Sequence, residues 1–207
     1  MLLAKICGLS EIIHVDKCIE YGASMCGFIL FYPKSHRNLS LDKAKELTSL
    51  KHSKSNVAVM VQPNKSQLES IKNLNFQYYQ IYGDQDPDEI NKIKKRYGVK
   101  IIKALTIETR EDVLKYKKYD AANIILFDSI GKEKSLSFDH SLLKYVPTNI
   151  KKMVAGNIQI QDLEKISKMT DIIVDVSGAV ETEKKKDLTK IKEFLLKVKE
   201  INENRTI

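Results

Sequence analysis

Six short apolar runs in this 207-residue chain lead into residue types that move protons or hold anions. LLAKIC ends in Cys7 ahead of Gly8, and NIILFD ends in Asp128. DIIVDV ends in Asp175-Val176 and continues as Ser177-Gly178-Ala179-Val180-Glu181. KKMVAG runs into Gly156-Asn157, and FQYYQIY carries Gln80 and Tyr82 ahead of Gly83-Asp84. MCGFILF leads into Tyr32-Pro33-Lys34-Ser35-His36-Arg37. Thiols and carboxyls transfer protons, and a guanidinium fork matches a planar anion. Glycine-bearing turns let backbone N–H groups approach a phosphate. Each residue also has a plainer role. Cys7 could be a buried apolar thiol like Cys18 and Cys26, Asp128 a cap for the loop after it, and Arg37 one more surface cation.

The elements that must place these residues alternate along the chain. Strand-like runs cover 2–7, 25–31, 56–62, 76–82, 99–105, 123–128, 151–156 and 171–176. Between them apolar residues recur every three to four positions. Leu41, Ala44, Leu47 and Leu50 form one such stripe, as do Leu68, Ile71 and Leu74, and Leu188, Ile191, Leu195, Val198 and Ile201. Single stripes suit helices that cover a sheet with one face. Asp86-Pro87-Asp88-Glu89 predicts a helix start, Ser66 with Glu69 predicts a capping box, and Asp139 is placed to cap a short sixth helix. Eight β-then-α units in 207 residues leave about 26 per unit, against about 31 in an ordinary barrel. The expected fold is therefore an α/β protein, one compact (β/α)8 TIM barrel over residues 1–207. A doubly wound open sheet is the rival, but neither a G-x-G-x-x-G turn nor a P-loop is present. In a barrel the chemistry sits at the C-terminal ends of the strands, where the six segments lie.

Composition narrows the function. The formal charge is +8, but KIKKRYG, KYKKYD and LTKIKEFLLKVKE set their lysines among apolar residues at helical spacing. That describes solvated helix faces rather than a nucleic-acid surface. The same positive field would gather an anionic small molecule. No apolar run reaches the ~20 residues of a membrane span, and MLLAKICGLSE reads as a first strand rather than a signal peptide. A cytoplasmic protein is expected. Three cysteines within the first 26 residues give neither a disulfide framework nor zinc spacing. The four histidines form no ligand cluster, so no metal is expected.

Lys5-Ile6-Cys7-Gly8, Gly27-Phe28 and Phe31-Tyr32-Pro33-Lys34-Ser35-x-Arg37 resemble phosphoribosylanthranilate isomerase of tryptophan biosynthesis. Gln80-x-x-Gly83-Asp84, Ile102-Lys103-Ala104, Phe138-Asp139, Asp175-Val176-Ser177, Glu181 and Lys186-Asp187 extend the likeness in order over nearly the whole chain. The resemblance implies an Amadori rearrangement of N-(5-phosphoribosyl)anthranilate, without cofactor or metal. It makes Cys7 the general base and Asp128 the general acid. It gives Arg37, Gln80 and Asp175 to substrate binding, with Arg37 on the anthranilate carboxylate. It puts the phosphate on Gly156, Asn157, Ser177, Gly178 and Ala179. A catalytic thiolate needs a lowered pKa, which nearby cations would supply, and Lys5 lies on the same strand face. The acid must keep its proton near neutrality. The implied partner is a small phosphorylated substrate, with no nucleic acid or membrane, and the chain is expected as monomer or homodimer.

The departures fall on glycines. The family's Gly-Gly-x-Gly run after strand six is here 131–137 with one glycine, in which Lys132 or Lys134 could supply charge instead. Asn157 stands for the second glycine after strand seven, Ser177-Gly178-Ala179 for Ser-Ser-Gly, and Tyr82 for a histidine. The site reads as divergent but working. The alternatives are a phosphosugar barrel with another substrate, or a catalytically degenerate basic binding protein. A metal-dependent pentose-phosphate epimerase lacks its histidines here. The indole-forming synthase of the pathway lacks its lysine pattern and extra N-terminal segment. A dual-substrate isomerase lacks a half-barrel repeat.

Overall fold

The computed structural model describes residues 1–50, 54–129 and 138–205. Eight parallel strands form a closed ring: β1 Leu2–Cys7, β2 Met25–Leu30, β3 Ser55–Val61, β4 Tyr78–Tyr82, β5 Lys100–Ile107, β6 Ile124–Ser129, β7 Lys152–Val154 and β8 Ile172–Val176. Each strand pairs with its sequence neighbour, and β8 closes onto β1 with Lys5 opposite Asp175. The TIM-barrel expectation is met.

Helices α1 Ile12–Glu20, α2 Leu41–Thr48, α3 Lys65–Ile71, α4 Pro87–Tyr97 and α5 Arg110–Leu114 follow the first five strands. The sixth unit has a 3-10 segment, His140–Tyr145, capped by Asp139 as expected. Helix α6 Leu163–Ser167 follows β7, and α7 Leu188–Glu203 follows β8.

Strand alternation sorts the core into two layers. On β8, Ile172, Val174 and Val176 pack outward against helices, while Ile173 and Asp175 face the barrel interior. On β1 the interior positions are Leu3, Lys5 and Cys7. The Lys5 side chain runs beside Gly27, where a Cβ would stand 3.0 Å from its Cε and Nζ. Glycine at that place makes room for a lysine inside the barrel.

The structure corrects several local expectations. The α3 capping box is Asn64 with Gln67, not Ser66 with Glu69. Glu69 instead pairs with Lys72, Arg96 and Tyr97. Strand β7 stops at Val154, because Gly156 and Asn157 turn the chain with φ of 94° and 54°. Strand β5 runs on to Ile107, which brings Thr106 to the barrel mouth. Leu41 and Leu188 begin their helices beside solvent rather than on the buried stripe.

Candidate active site

A cavity of about 470 Å³ opens at the C-terminal ends of the strands. Cys7, Arg37, Asp128, Asp175, Gly156, Asn157, Ser177, Gly178 and Ala179 all line it. Gln80 does not: its side chain is fully buried behind Tyr82. Residues 131–137, with Lys132 and Lys134, lie outside the described residues.

A lysine and a carboxylate from opposite ends of the chain meet inside the barrel. Lys5 Nζ donates to both oxygens of Asp175 at 2.8 Å, with neither side chain appreciably exposed. Burial works against the Lys5 charge, but Asp175 outweighs it and raises the lysine above its ordinary value. Asp128 is pushed up to about 6, chiefly by burial, with the Asp175 charge adding and a hydrogen bond from Tyr82 opposing. A carboxyl with that proton affinity is suited to giving a proton near neutrality.

Cys7 departs from expectation. Burial pushes its thiol up, and the pull of Lys5 and Lys186 does not overcome it. The negative charge of Asp175, which engages Lys5, adds to the effect of burial on Cys7.

A second charged group stands at the mouth. The Arg37 guanidinium donates through Nε at 2.6 Å and Nη2 at 2.5 Å to Glu181. Lys186 Nζ donates to Glu181 at 2.6 Å and to the Ser177 carbonyl at 2.9 Å. Burial pushes Glu181 up, but the hydrogen bonds from Arg37 and Lys186 outweigh it and hold it at about 2. Two cations and one carboxylate leave a net positive charge. Ser177 Oγ donates to the Cys7 carbonyl at 3.0 Å, tying the β8 loop to the end of β1.

The turn after β7 explains its own sequence. A Cβ on Gly156 would stand 2.3 Å from Ser129 Oγ and 2.9 Å from Ser129 N, at a φ of 94°. Only glycine fits. Asn157 takes the left-handed conformation that asparagine tolerates, with its Oδ1 and carbonyl both accepting from Gln159 Nε2. Ala179 has no positive φ, so losing a glycine there adds no strain. The apolar part of the wall is Ile29, Val59 and Val61 beside Tyr32.

Four contributors were given no role from the sequence. Tyr82 bonds Asp128, Glu181 and Lys186 frame Arg37, and Ser129 Oγ is buried at the cavity wall with no hydrogen-bond partner among the described residues. Strand parity could have found Tyr82, since it lies two residues beyond Gln80 on the inner face. The Arg37–Glu181 pair spans 144 residues and left no local signal.

The comparisons bear on fold and family. Residues 4–197 match the family model described as N-(5'phosphoribosyl)anthranilate (PRA) isomerase. The N-(5'-phosphoribosyl)anthranilate isomerase of Bacillus mycoides (strain KBAB4) is 33% identical over 206 residues, covering 95% of this chain and 97% of that one. A crystal structure of monomers generated from the dimeric isomerase of Thermotoga maritima superposes with a TM-score of 0.85 at 25% identity, covering 97% of this chain and all of that one. Another isomerase structure, in complex with reduced 1-(o-carboxyphenylamino)-1-deoxyribulose 5-phosphate, gives a TM-score of 0.84 at 27% identity and the same coverage. The chain belongs to the N-(5'-phosphoribosyl)anthranilate isomerase family.

Proposed function

We propose that this chain converts N-(5-phosphoribosyl)anthranilate to 1-(2-carboxyphenylamino)-1-deoxyribulose 5-phosphate in tryptophan biosynthesis, by an Amadori rearrangement. The observation that carries the reading is that Asp128, a half-buried carboxyl with a pKa of about 6, and the Cys7 thiol line one cavity. Asp128 gives its proton to the furanose ring oxygen as the bond from that oxygen to C1 breaks. The anilino nitrogen lone pair then forms the C=N bond. Cys7, as thiolate, takes the proton from C2, and the enolamine becomes the ketone by gaining a proton at C1 and losing one from the C2 hydroxyl.

The pKa directions define the working state. Asp128 ionises at about 6, and Cys7 ionises above the usual cysteine range. Between those values the pair shares one proton, resting on the thiol. The productive form moves that proton to Asp128, and the reaction returns it. Net proton count is unchanged, so rate is flat across the interval.

Arg37, held by Glu181, is proposed to meet the anthranilate carboxylate, with Ile29, Val59 and Val61 against the ring. The phosphate is proposed to rest on Gly156, Asn157, Ser177, Gly178 and Ala179. Asp175, engaged by Lys5, keeps oxygen lone pairs for a substrate hydroxyl. The whole chain is proposed to act as one barrel domain in the cytoplasm, as monomer or homodimer. Among the described residues no helix is long and apolar enough to cross a membrane.

The test is an assay with freshly made substrate, following loss of anthranilate fluorescence, in wild type, Cys7→Ser and Asp128→Asn. Turnover that falls about a hundredfold or more in both variants supports the reading. A folded wild-type protein without turnover sinks it.

A further inference from the structure

The cavity wall contains a phenol to which the proposed chemistry gives no task. Tyr82 ends β4 with its ring toward the barrel interior, and its hydroxyl donates to Asp128 Oδ2 at 2.8 Å. Gln80, two residues earlier on the same face, donates through Nε2 to the same phenol oxygen at 3.3 Å. With that oxygen accepting from Gln80, the hydroxyl hydrogen is aimed at Asp128. The backbone on both sides of Tyr82 is held as well. Lys103 Nζ donates to the carbonyl of Gly83 at 2.6 Å and to that of Ile81 at 3.4 Å. Lys103 is fully buried on the outer face of β5, with its ammonium 5.1 Å from the Tyr119 ring centre.

We propose that Tyr82 is a positioning residue for the acid step: its hydroxyl occupies Oδ2 of Asp128, leaves Oδ1 to present the proton to the substrate, and bonds more strongly as that proton departs. The inference rests on the isomerase reading and deepens it. The bond that breaks is O–H at Asp128 Oδ1, the bond that forms is O–H at the sugar ring oxygen, and the electron pair left behind resides on a carboxylate that Tyr82 already touches. A hydrogen bond to the charged form is worth more than one to the neutral form, so it favours the product of proton donation.

The groups facing this pair fix the sign of the effect. Asp128 meets Tyr82 from β4, Asp175 from β8 and Lys5 from β1, and Tyr82 also meets Cys7. Tyr82, the Ser129 backbone N–H and Lys5 favour the ionised carboxylate, whereas burial and Asp175 oppose it. Burial first, then the Asp128 and Asp175 charges, push the phenol well above the ordinary tyrosine range. Tyr82 therefore remains a donor over the working pH range, and removing it raises the proton affinity of Asp128.

The experiment is a carbon-13 NMR titration of the Asp128 carboxyl in ligand-free protein, assigned by its loss in Asp128→Asn, beside pH profiles of kcat/KM. In Tyr82→Phe the Asp128 midpoint should rise from about 6 by about half to one unit, and the ascending limb of the profile should move with it. Site-specific 3-fluorotyrosine at position 82, a stronger donor, should move both downward, which packing alone does not do. An Asp128 midpoint unmoved in either protein, with an active wild type, overturns this proposal alone. A wild type that never turns over overturns the isomerase reading, and the catalytic role of Tyr82 with it, whatever the titration shows.

Discussion

Lys5 and Asp175 lie 170 residues apart in the chain and face each other in the barrel interior, with the ammonium 2.8 Å from each carboxylate oxygen. Neither charge has solvent to fall back on. Breaking such a pair by removing one member leaves an uncompensated buried charge, at a cost of about 3–5 kcal/mol. Lys5→Met should therefore lower the unfolding free energy by about that amount, measured by urea denaturation. Lys5→Met with Asp175→Leu should recover much of the stability and none of the activity. A single variant as stable as wild type would contradict the burial of the pair.

The rate profile tests the shared proton. kcat/KM should rise with pH up to about 6, where Asp128 loses its proton, because below that both groups are protonated and the pair must first lose one proton to reach its productive form. It should then stay level, and fall only above the usual cysteine range, where Cys7 ionises. A single sharp optimum near neutrality would contradict this ordering of the two groups.

Glu181→Gln isolates the mouth of the site. The Arg37 fork loses its charged anchor while both cations remain. The expected result is a KM increase of about three- to tenfold from lost preorganisation, with kcat within about twofold. A kcat loss equal to the KM change would place Glu181 in the chemical step instead.

Gly156→Ala should be costly for its size. The added methyl meets Ser129 at a φ that alanine rarely adopts. A loss of about 2 kcal/mol or more is expected in thermal unfolding, together with weaker protection by inorganic phosphate. Ala179→Gly, at an ordinary φ, should leave phosphate protection as it is.

Lys103 makes stability depend on pH in a set direction. Burial lowers its pKa from 10.5 to about 8. The folded chain thus binds fewer protons than the unfolded chain between about 8 and 10.5, so this group stabilises as pH rises through that window and the gain is absent below it. Comparing wild type with Lys103→Met by denaturant unfolding isolates it. Their difference should shift in favour of wild type by about 2–3 kcal/mol from below pH 8 to pH 10.5. A difference independent of pH would show Lys103 to be neutral or well solvated.

Periodicity sufficed for the barrel because each strand is a continuous apolar run and each long helix has one apolar stripe. The placement of Cys7, Asp128 and Asp175 followed from strand ends alone. What escaped the sequence was pairing at long range. Nothing near Arg37 announces Glu181, and nothing near Lys5 announces that Asp175 will pair with it; the Cys7 pKa, expected to fall, rises chiefly because the thiol is buried, with the Asp175 charge adding. The short caps were misread for another reason. Asn64 and Ser66 both suit a helix start, and only the entry angle of the chain selects between them.

The closure of the ring has a consequence for how the molecule is made. Strand β1 leaves the ribosome before the other seven strands, yet its backbone pairs with β8, its Leu2 N–H and carbonyl both bond to Asn202, and its lysine pairs with Asp175. Until β8 emerges, β1 has one free edge and its ammonium lacks the Asp175 counter-charge. Such non-local pairing delays cooperative assembly. A nascent chain arrested before β8 should therefore form an open sheet rather than a smaller barrel, and limited proteolysis should cut its β1 segment faster than that of the full chain.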